Sequence, residues 1–211
     1  MTGIEIEVKF YVDQEAHLRH RIMDLGAAAE GRCFETNHRY DDAAGSLLEK
    51  RVLLRLRRDR RSRMTVKLPT ASSDDQFKVH RELEVAVSDF ATADRILDAL
   101  GFRRIQRYEK WRESFRIDDA VLCLDSLPYG TFLEIEGTRE AIRDIAGRLE
   151  LAWSRRILAN YLEIFETLKA PLGITSGDLT FDAFKSVTMD PRPWIHGFEA
   201  DRIRAVGDIA P

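Results

Sequence analysis

The N-terminal segment Ile4-Glu5-Ile6-Glu7-Val8-Lys9-Phe10 constrains the fold of this chain more than any other stretch. Successive side chains of a strand point to opposite faces, so Glu5, Glu7 and Lys9 share one face and the apolar residues share the other. Two carboxylates two residues apart repel each other, and the repulsion grows as water is excluded. The pattern therefore predicts a strand whose charged face meets either bulk solvent or cations supplied by the rest of the chain.

Composition narrows the class of protein. With 211 residues, the chain fits one domain of good size and a short appendage. A net charge of −3 gives no global basic field, so a nucleic-acid partner is not expected. No apolar run approaches the roughly 18 residues of a membrane span, and the immediate first strand leaves no room for a signal peptide. Cys33 and Cys123 lack a metal-ligand spacing, which favours a reduced, cytoplasmic protein without a membrane partner.

Periodicity and capping residues predict an alternation of strands and helices. Strands are predicted over residues 4–10, 33–41, 47–58, 64–68, 79–87, 102–117 (as one or two strands), 121–125 and 131–136. Helices are predicted over residues 14–25 with Asp13 as the N-cap, from Ser88 or Asp89 through Leu100, over 139–150 after Thr138, and over about 155–168. Residues 70–76 are predicted to be a loop, and a short helix over 178–187 is an open alternative.

Charged residues recur on one face of the predicted strands. Three strands carry a Glu-x-Glu pair and several others carry only bases, whereas a solvated face would mix the two signs. We therefore expect an α+β fold, in which an antiparallel sheet closes into a β-barrel, with helices packed outside and the charged face lining a tunnel. One open sheet with a solvated charged face is the alternative. The inward acids and bases are Glu5, Glu7, Glu82, Glu84, Asp125, Glu134 and Glu136, with Lys9, Arg39, Arg55, Arg57, Lys67, Lys110 and Arg112.

These two sets of side chains indicate a chemistry. Clustered carboxylates bind hard divalent cations such as Mg²⁺ or Mn²⁺ through oxygen. Arginines and lysines that face the same cavity bind phosphate oxygens. A metal-bound triphosphate meets both demands, and phosphoryl transfer needs mainly positioning and charge neutralisation.

Six motifs, in order and in spacing, resemble those of the CYTH domain, or triphosphate tunnel metalloenzyme, family. The resemblance covers residues 4 to about 168. The motifs are Glu5-Ile6-Glu7-Val8-Lys9, Leu54-Arg55-Leu56-Arg57, Thr65-Val66-Lys67, Arg81-Glu82-Leu83-Glu84, Lys110-Trp111-Arg112, and Leu124-Asp125 followed by Gly130-Thr131-Phe132-Leu133-Glu134-Ile135-Glu136. The family includes inorganic triphosphatases, thiamine triphosphatases, RNA 5′-triphosphatases and class IV adenylyl cyclases.

The resemblance implies an eight-stranded antiparallel tunnel and a divalent metal. It implies that Glu134 and Glu136, with a glutamate of the fifth strand, hold the metal on the triphosphate. Glu5 and Glu7 would bind a second metal or orient the attacking water. The implied catalytic residues are Glu5, Glu7 and Lys9. The implied substrate-binding residues are Lys9, Arg39, Arg55, Arg57, Lys67, Lys110 and Arg112. The implied metal-binding residues are Glu5, Glu7, Glu82, Glu84, Asp125, Glu134 and Glu136.

The sequence thus predicts a metal-dependent triphosphatase acting on inorganic triphosphate or a small organic triphosphate. The first alternative is a class IV adenylyl cyclase. We expect that branch to carry a His-Phe pair before the first glutamate, and Met1-Thr2-Gly3 offers no room for one. The second alternative is a non-catalytic polyphosphate- or nucleotide-binding module. Residues 1–168 are predicted to form the triphosphate tunnel domain and 169–211 a C-terminal extension, either a docking tail or an oligomer contact such as that of a homodimer.

Overall fold

A closed barrel organises the computed structural model, which describes residues 2–70 and 74–207. Its strands are β1 (Thr2–Val12), β2 (Ala28–Asp41), β3 (Leu53–Arg58), β4 (Ser62–Pro69), β5 (Lys78–Val87), β6 (Arg103–Ile117), β7 (Ala120–Leu127) and β8 (Gly130–Glu136). Around the barrel they follow the order β1-β5-β4-β3-β2-β6-β7-β8, and each neighbouring pair is antiparallel. The barrel confirms the predicted α+β class and excludes the open sheet.

Helices pack on the outside of the barrel. Those of the described residues are α1 (Glu15–Asp24), α2 (Ser46–Glu49), α3 (Phe90–Ala99), α4 (Arg139–Arg148), α5 (Tyr161–Lys169), α6 (Arg192–Ile195) and α7 (Ala200–Gly207). Short 3₁₀ turns occupy Trp153–Arg155 and His196–Phe198. No described helix combines the length and the apolar character that crossing a bilayer requires.

The apolar strand faces and the helices form the outer core. Val8 and Phe10 of β1 belong to one buried cluster with Ile22 of α1 and Ile142 of α4. A second cluster joins β3 to Leu97 of α3. Full burial of such a side chain contributes about 1.5–3 kcal/mol to the stability of the fold. Packing of the helices therefore stabilises a barrel whose apolar face points outward and whose charged face points inward.

Two of the predicted helix caps are confirmed. Asp89 accepts a hydrogen bond from the backbone N–H of Thr92 at 3.1 Å, and Thr138 accepts one from that of Ala141 at 3.2 Å. The prediction of Asp13 as a cap was wrong, because α1 begins at Glu15 with Gln14 at the N-cap and no capping side-chain hydrogen bond.

Several element boundaries differ from those predicted. The segment predicted as one strand from residue 47 first forms α2, and β3 begins at Leu53. The helix predicted from about residue 155 begins at Tyr161. Residues 178–187 form no α-helix; instead Leu179 makes a parallel bridge to Tyr108. The predicted loop at 71–73, and the two domain ends at Met1 and 208–211, lie outside the described residues, and the domain boundary itself stays a prediction.

Candidate active site

The charged side chains predicted to share a face line the inside of the barrel. They divide into an acidic and a basic region, which meet where Arg112 of β6 pairs with Glu134 of β8. The acidic wall comes from β1, β5 and β8 and comprises Glu5, Glu7, Glu82, Glu134 and Glu136. The basic wall comes from β3 and β6 and comprises Arg55, Arg57, Lys110 and Arg112. Strand alternation explains this layout, because each wall residue is two positions from the next on its own strand.

Lysines neutralise the deep part of the acidic wall. Lys9 Nζ lies 2.8 Å from Glu7 Oε1 and 3.1 Å from Glu134 Oε1, and Lys78 Nζ also lies 2.8 Å from Glu7 Oε1. Burial alone would raise the pKa of Glu7, but the ammonium groups of Lys78 and Lys9 hold it well below its ordinary value. Burial would raise the pKa of Glu134 too, but Lys9, Lys110 and Arg112 hold it well below its ordinary value, so Glu7 and Glu134 are both carboxylates at neutral pH.

The outer part of the acidic wall is less well neutralised. Lys67 Nζ lies 2.9 Å from Glu82 and forms a second, short contact with Glu5. Burial raises the pKa of Glu5, and the charges of Glu7 and Glu82 add to that rise against the effect of Lys67. For Glu136, which the barrel mouth leaves exposed, partial burial and the charge of Glu5 raise the pKa to about 7. Excess negative charge therefore accumulates at this end of the wall.

Asp125 is the anchor of the basic wall. Its side chain is completely buried, and it accepts hydrogen bonds from Lys110 Nζ at 2.7 Å and from Arg112 Nε at 2.6 Å. The hydroxyl of Tyr161 donates to it at 2.9 Å. Asp125 thus fixes two bases, and α5 supplies the third donor across the end of the barrel.

Glu35 and Asn37, both on β2, hold the other part of the basic wall. Asn37 Oδ1 accepts from Arg57 Nε at 2.8 Å, and Glu35 Oε1 lies 3.2 Å from the same guanidinium. Burial would raise the pKa of Glu35, but Arg57, Lys110 and Arg112 hold it well below its ordinary value. In the absence of a ligand, the buried Glu35 carboxylate therefore balances part of the positive charge of these bases.

Two donors at this wall have no hydrogen-bond partner among residues 2–70 and 74–207. They are Arg55 Nε and, beside the wall, Asn37 Nδ2, and both are buried; the acceptor Glu35 Oε2 is also buried without a hydrogen bond. An unpaired buried donor costs about 1–3 kcal/mol. Both atoms are suited to an anionic oxygen, since an amide N–H and a guanidinium N–H are donors only. The basic wall is thus prepared for a ligand rich in such oxygens.

The acidic wall offers carboxylate ligands for a divalent cation, although among the described residues no three of its glutamates have oxygens within 4.8 Å of one another. Glu5, Glu82 and Glu136 supply the hard oxygen ligands that Mg²⁺ and Mn²⁺ take, and a cation would relieve their mutual repulsion. Lys67 bonded to two of these carboxylates shows that a positive group is accommodated there. In this arrangement Asp125 is fully engaged by Lys110, Arg112 and Tyr161, so its predicted metal role would require those donors to move.

A compact group of three metal-ligand side chains lies outside the acidic wall. Across residues 2–70 and 74–207, only Cys33, Glu35 and Asp59 form a group of three with ligand atoms within 4.8 Å of one another. The guanidinium of Arg57 lies 3.2 Å from Glu35, and Arg63 pairs with Asp59. Since cations already neutralise both carboxylates, we assign no metal to this group.

Two predicted site residues lie at the margins. Glu84 accepts from the Thr65 hydroxyl at 2.9 Å and lies 3.7 Å from Arg63, away from the acidic wall. Arg39 shares its strand face with Asn37 and stands opposite Arg55 in the β2–β3 register. Their predicted metal and substrate roles stay predictions.

Sequence reasoning missed several residues of this interior. Lys78 falls one position before the predicted start of the fifth strand, although its spacing of four from Glu82 would have placed it on the charged face. Glu35 and Asn37 were hidden because both faces of β2 carry polar residues. The missed residues that contact the two walls are Glu35, Asn37, Lys78 and Tyr108.

Comparison with known families agrees with this geometry. The sequence profile of the CYTH domain matches residues 3–164, which is well over half of the chain. The chain belongs to the CYTH domain family. Proteins of this family are enzymes, either adenylyl cyclases or triphosphatases, and depend on a metal in general.

Individual CYTH relatives are distant in sequence. A Methanocaldococcus jannaschii protein, whose name proposes adenylate cyclase activity, is 25% identical over 166 residues, covering 78% of this chain and 89% of that protein. A Vibrio parahaemolyticus structure, also described as a proposed adenylate cyclase, has a TM-score of 0.71 at 21% identity and covers 79% of this chain and 99% of its own. A Hippeastrum protein proposed as an adenylyl cyclase, but described with a dominant triphosphatase activity, has a TM-score of 0.57 at 18% identity, with coverages of 79% and 95%.

The raised pKa of Glu136 leads to a prediction for the Glu136→Gln variant. The folded protein holds this proton more tightly than the unfolded chain, so the ionised group costs stability as pH rises from 4.5 to about 7. Without metal, we expect the melting temperature of the variant to exceed that of the parent at pH 8, with a smaller difference at pH 5. Added Mg²⁺ should raise the melting temperature of the parent more than that of the variant.

The matched control is Glu140→Gln, which neutralises an exposed glutamate of α4. Both measurements need only thermal unfolding with and without Mg²⁺ at the two pH values. An equal Mg²⁺ shift in the parent and in Glu136→Gln would place the cation away from this carboxylate.

Proposed function

We propose that this CYTH protein is a divalent-metal-dependent triphosphatase that hydrolyses inorganic triphosphate or a small organic triphosphate inside the barrel. Glu5 and Glu7 would act in catalysis with Lys9, the acidic wall would hold Mg²⁺ or Mn²⁺, and the basic wall with Lys67 and Arg39 would hold the phosphates. A location in the cytoplasm belongs to the same proposal.

The observation that carries this proposal is the pair of unpartnered donors in the basic wall. Asn37 Nδ2 and Arg55 Nε are buried beside Arg57, in the same barrel interior as the glutamates of the acidic wall. A polyanion satisfies the donors, and its divalent cation satisfies the carboxylates. A triphosphate with its metal supplies both in one ligand.

In this proposal the two walls have different chemical roles. Guanidinium and ammonium groups bind the equatorial phosphate oxygens and neutralise their charge, which is the main requirement of phosphoryl transfer. A bound divalent ion would add charge neutralisation and activation of water. The Glu7 carboxylate, ionised by its two lysines, can accept a proton or orient water beside the phosphate.

The second candidate is an adenylyl cyclase, which the names of the Methanocaldococcus and Vibrio relatives favour. Both reactions need a metal-bound triphosphate, so both fit the two walls. Hydrolysis is our first choice because charged side chains extend along both walls, which suits phosphate groups more directly than an adenine ring.

A panel of metals and substrates tests the proposal. Inorganic triphosphate and ATP are each incubated with Mg²⁺ or Mn²⁺, and both phosphate release and cyclic AMP are measured. Phosphate release from inorganic triphosphate supports the triphosphatase. Cyclic AMP with pyrophosphate from ATP would establish the cyclase instead, and tight binding without turnover under either metal would leave a binding module.

Arg57→Ala should weaken binding of inorganic triphosphate. Its guanidinium is buried, held by Asn37 and Glu35, and pointed at the proposed phosphate position. Loss of one charge-assisted hydrogen bond costs about 1.5–3 kcal/mol. Isothermal titration with inorganic triphosphate measures the change.

Two variants control this measurement. Arg57→Lys keeps the positive charge but loses the planar set of guanidinium donors. Its affinity for inorganic triphosphate should lie between those of Arg57→Ala and the parent. Arg58→Ala removes the adjacent arginine, which lies on the outer face 5.2 Å above the Phe90 ring, and should leave binding unchanged. Unchanged affinity in Arg57→Ala would place that side chain outside the phosphate site.

A further inference from the structure

Arg55 is a buried arginine of the basic wall that pairs with no carboxylate. It is only 6% exposed, and among residues 2–70 and 74–207 no acidic oxygen lies within 4.0 Å of its guanidinium nitrogens. Its hydrogen-bond partners are two hydroxyls: Nη2 donates to Thr65 Oγ1 at 3.1 Å, and Nη1 donates to the Tyr108 hydroxyl at 3.4 Å. Its Nε makes no hydrogen bond. A buried cation without a counter-anion is costly, so an anionic group that binds here would be strongly favoured.

Tyr108 of β6 faces the same part of the interior. It stands opposite Asn37 in the β2–β6 register, so the two side chains share the inner face with their Cβ atoms about 4.5–5.5 Å apart. Because Arg55 donates to the phenolic oxygen, the hydroxyl hydrogen points elsewhere, and no described residue accepts it. The Tyr108 hydroxyl is therefore a third donor without an acceptor, beside Arg55 Nε and Asn37 Nδ2.

The Tyr108 hydroxyl lies in electropositive surroundings. Burial alone would raise its pKa, but the charges of Arg55, Arg57 and Lys110 lower the pKa below its ordinary value. Such surroundings attract anions, and a neutral hydroxyl adds a donor there without adding charge. The oxygens of an ionised phosphate group are acceptors, so one such group could satisfy all three free donors.

The chain that follows α5 fixes Tyr108 in place. Leu179 forms a parallel bridge with Tyr108 and exchanges backbone hydrogen bonds with the residues on either side of it, both at 2.9 Å. Asp178 Oδ1 also accepts from the Arg107 N–H at 2.7 Å. These two residues lie beyond the stretch that the CYTH profile matches, which ends at residue 164. A segment outside the family profile thus determines where this hydroxyl lies.

We propose that Tyr108 is a substrate-binding residue, whose hydroxyl donates to the same phosphate group that Arg55 and Asn37 bind. Asp178 and Leu179 are positioning residues, which act on the ligand only through Tyr108. The inference rests on the proposed function for its ligand class. It gives one phosphate group donors from three neighbouring strands, β2, β3 and β6, and it makes the segment after α5 a part of the site.

Tyr108→Phe tests the contact, because it removes the hydroxyl and keeps the ring that belongs to one buried cluster with Leu179. Isothermal titration with inorganic triphosphate is done without divalent metal, so that the ligand is not hydrolysed. The dissociation constant should rise about 10- to 100-fold, the range for one hydrogen bond to a charged group. The melting temperature of the ligand-free variant should stay within about 3 °C of the parent, since the hydroxyl has only its long contact with Arg55. A purely structural hydroxyl would instead lower the melting temperature and leave affinity unchanged.

Tyr40→Phe is the matched control for removal of a hydroxyl from a buried tyrosine. The Tyr40 hydroxyl donates to Asp94 of α3 at 2.5 Å, outside the barrel, so this variant should bind inorganic triphosphate as the parent does. Equal affinity of the parent and Tyr108→Phe would overturn the inference and leave the triphosphate site intact. Absence of binding in the parent would instead overturn the proposed function, and the inference with it.

Asp178→Ala tests the positioning role. It removes the acceptor of the Arg107 N–H and should raise the dissociation constant of inorganic triphosphate roughly 3- to 10-fold. In the Tyr108→Phe background the same substitution should leave affinity unchanged, because no hydroxyl remains to be positioned. Asp178→Asn keeps a side-chain oxygen as acceptor and should bind as the parent does. An equal loss of affinity in both backgrounds, or no loss in either, would show that Asp178 does not act through Tyr108.

Discussion

Glu5→Gln should lower the turnover of inorganic triphosphate by about 10²–10⁴-fold, the scale of a positioned acid–base or water-orienting group. Glu7→Gln should have a similar effect. The two carboxylates begin the acidic wall, and the amide that replaces either one can neither accept a proton nor bind a divalent ion as a charged ligand. Steady-state phosphate release at saturating substrate measures the change.

Binding of the ligand should survive these substitutions. A carboxylate repels a polyanion, so its removal takes away no attractive contact with phosphate. Glu5→Gln also loosens Lys67, and Glu7→Gln loosens Lys9 and Lys78, which leaves more positive charge for the ligand. We therefore expect the dissociation constant of inorganic triphosphate without metal to stay the same or fall.

The matched control is Glu113→Gln on the outer face of β6. That glutamate pairs with Arg19 of α1 at 2.8 Å and faces away from the interior, so its variant should turn over normally. A doubly substituted protein, with glutamine at both positions 5 and 7, that remained active would remove these residues from the mechanism.

How far the sequence predicts this site depends on the residue. Glu5, Glu7 and Lys9 could be predicted from the sequence because charged residues alternate strictly with apolar ones along β1, and this pattern is typical of a strand. The same alternation located Arg55 and Arg57, which alternate with Leu54 and Leu56 on the buried outer face. For such strands, the pattern alone assigns each side chain to the interior or the outer core.

β2 lacks that contrast. Thr36 and His38 on its outer face are as polar as Glu35 and Asn37 on its inner face, so periodicity does not identify the interior side. The hydrogen bond from Tyr161 to Asp125 was not predicted for a different reason. It forms because α5 folds back across the barrel end, and nothing local in the sequence pairs these two residues. The parallel bridge of Leu179 is likewise a long-range contact, which is why a helix was a plausible alternative there.

Asp125→Ala should destabilise the protein more than any other single change that we consider, by about 3–5 kcal/mol in the free energy of unfolding. The substitution leaves Lys110 and Arg112 without their shared carboxylate, and leaves the buried Tyr161 hydroxyl without an acceptor. Arg112 keeps its ion pair with Glu134, whereas Glu35 lies 3.7 Å from Lys110 and already serves Arg57. An undercompensated charge in a water-poor interior is costly. Urea denaturation followed by circular dichroism measures the loss.

Asp144→Ala is the matched control for removal of an aspartate. Its carboxylate is exposed on α4 and pairs with Arg148 four residues later at 3.3 Å, so its loss should cost only about 0.3–0.5 kcal/mol. Asp125→Asn separates charge from shape, because it keeps a hydrogen-bonding side chain but not the negative charge. If charge compensation is the main contribution, Asn should be nearly as destabilising as Ala, and inorganic triphosphate should stabilise both variants by supplying the missing negative charge. A loss below about 1 kcal/mol in Asp125→Ala would show that water, not this carboxylate, compensates the basic wall.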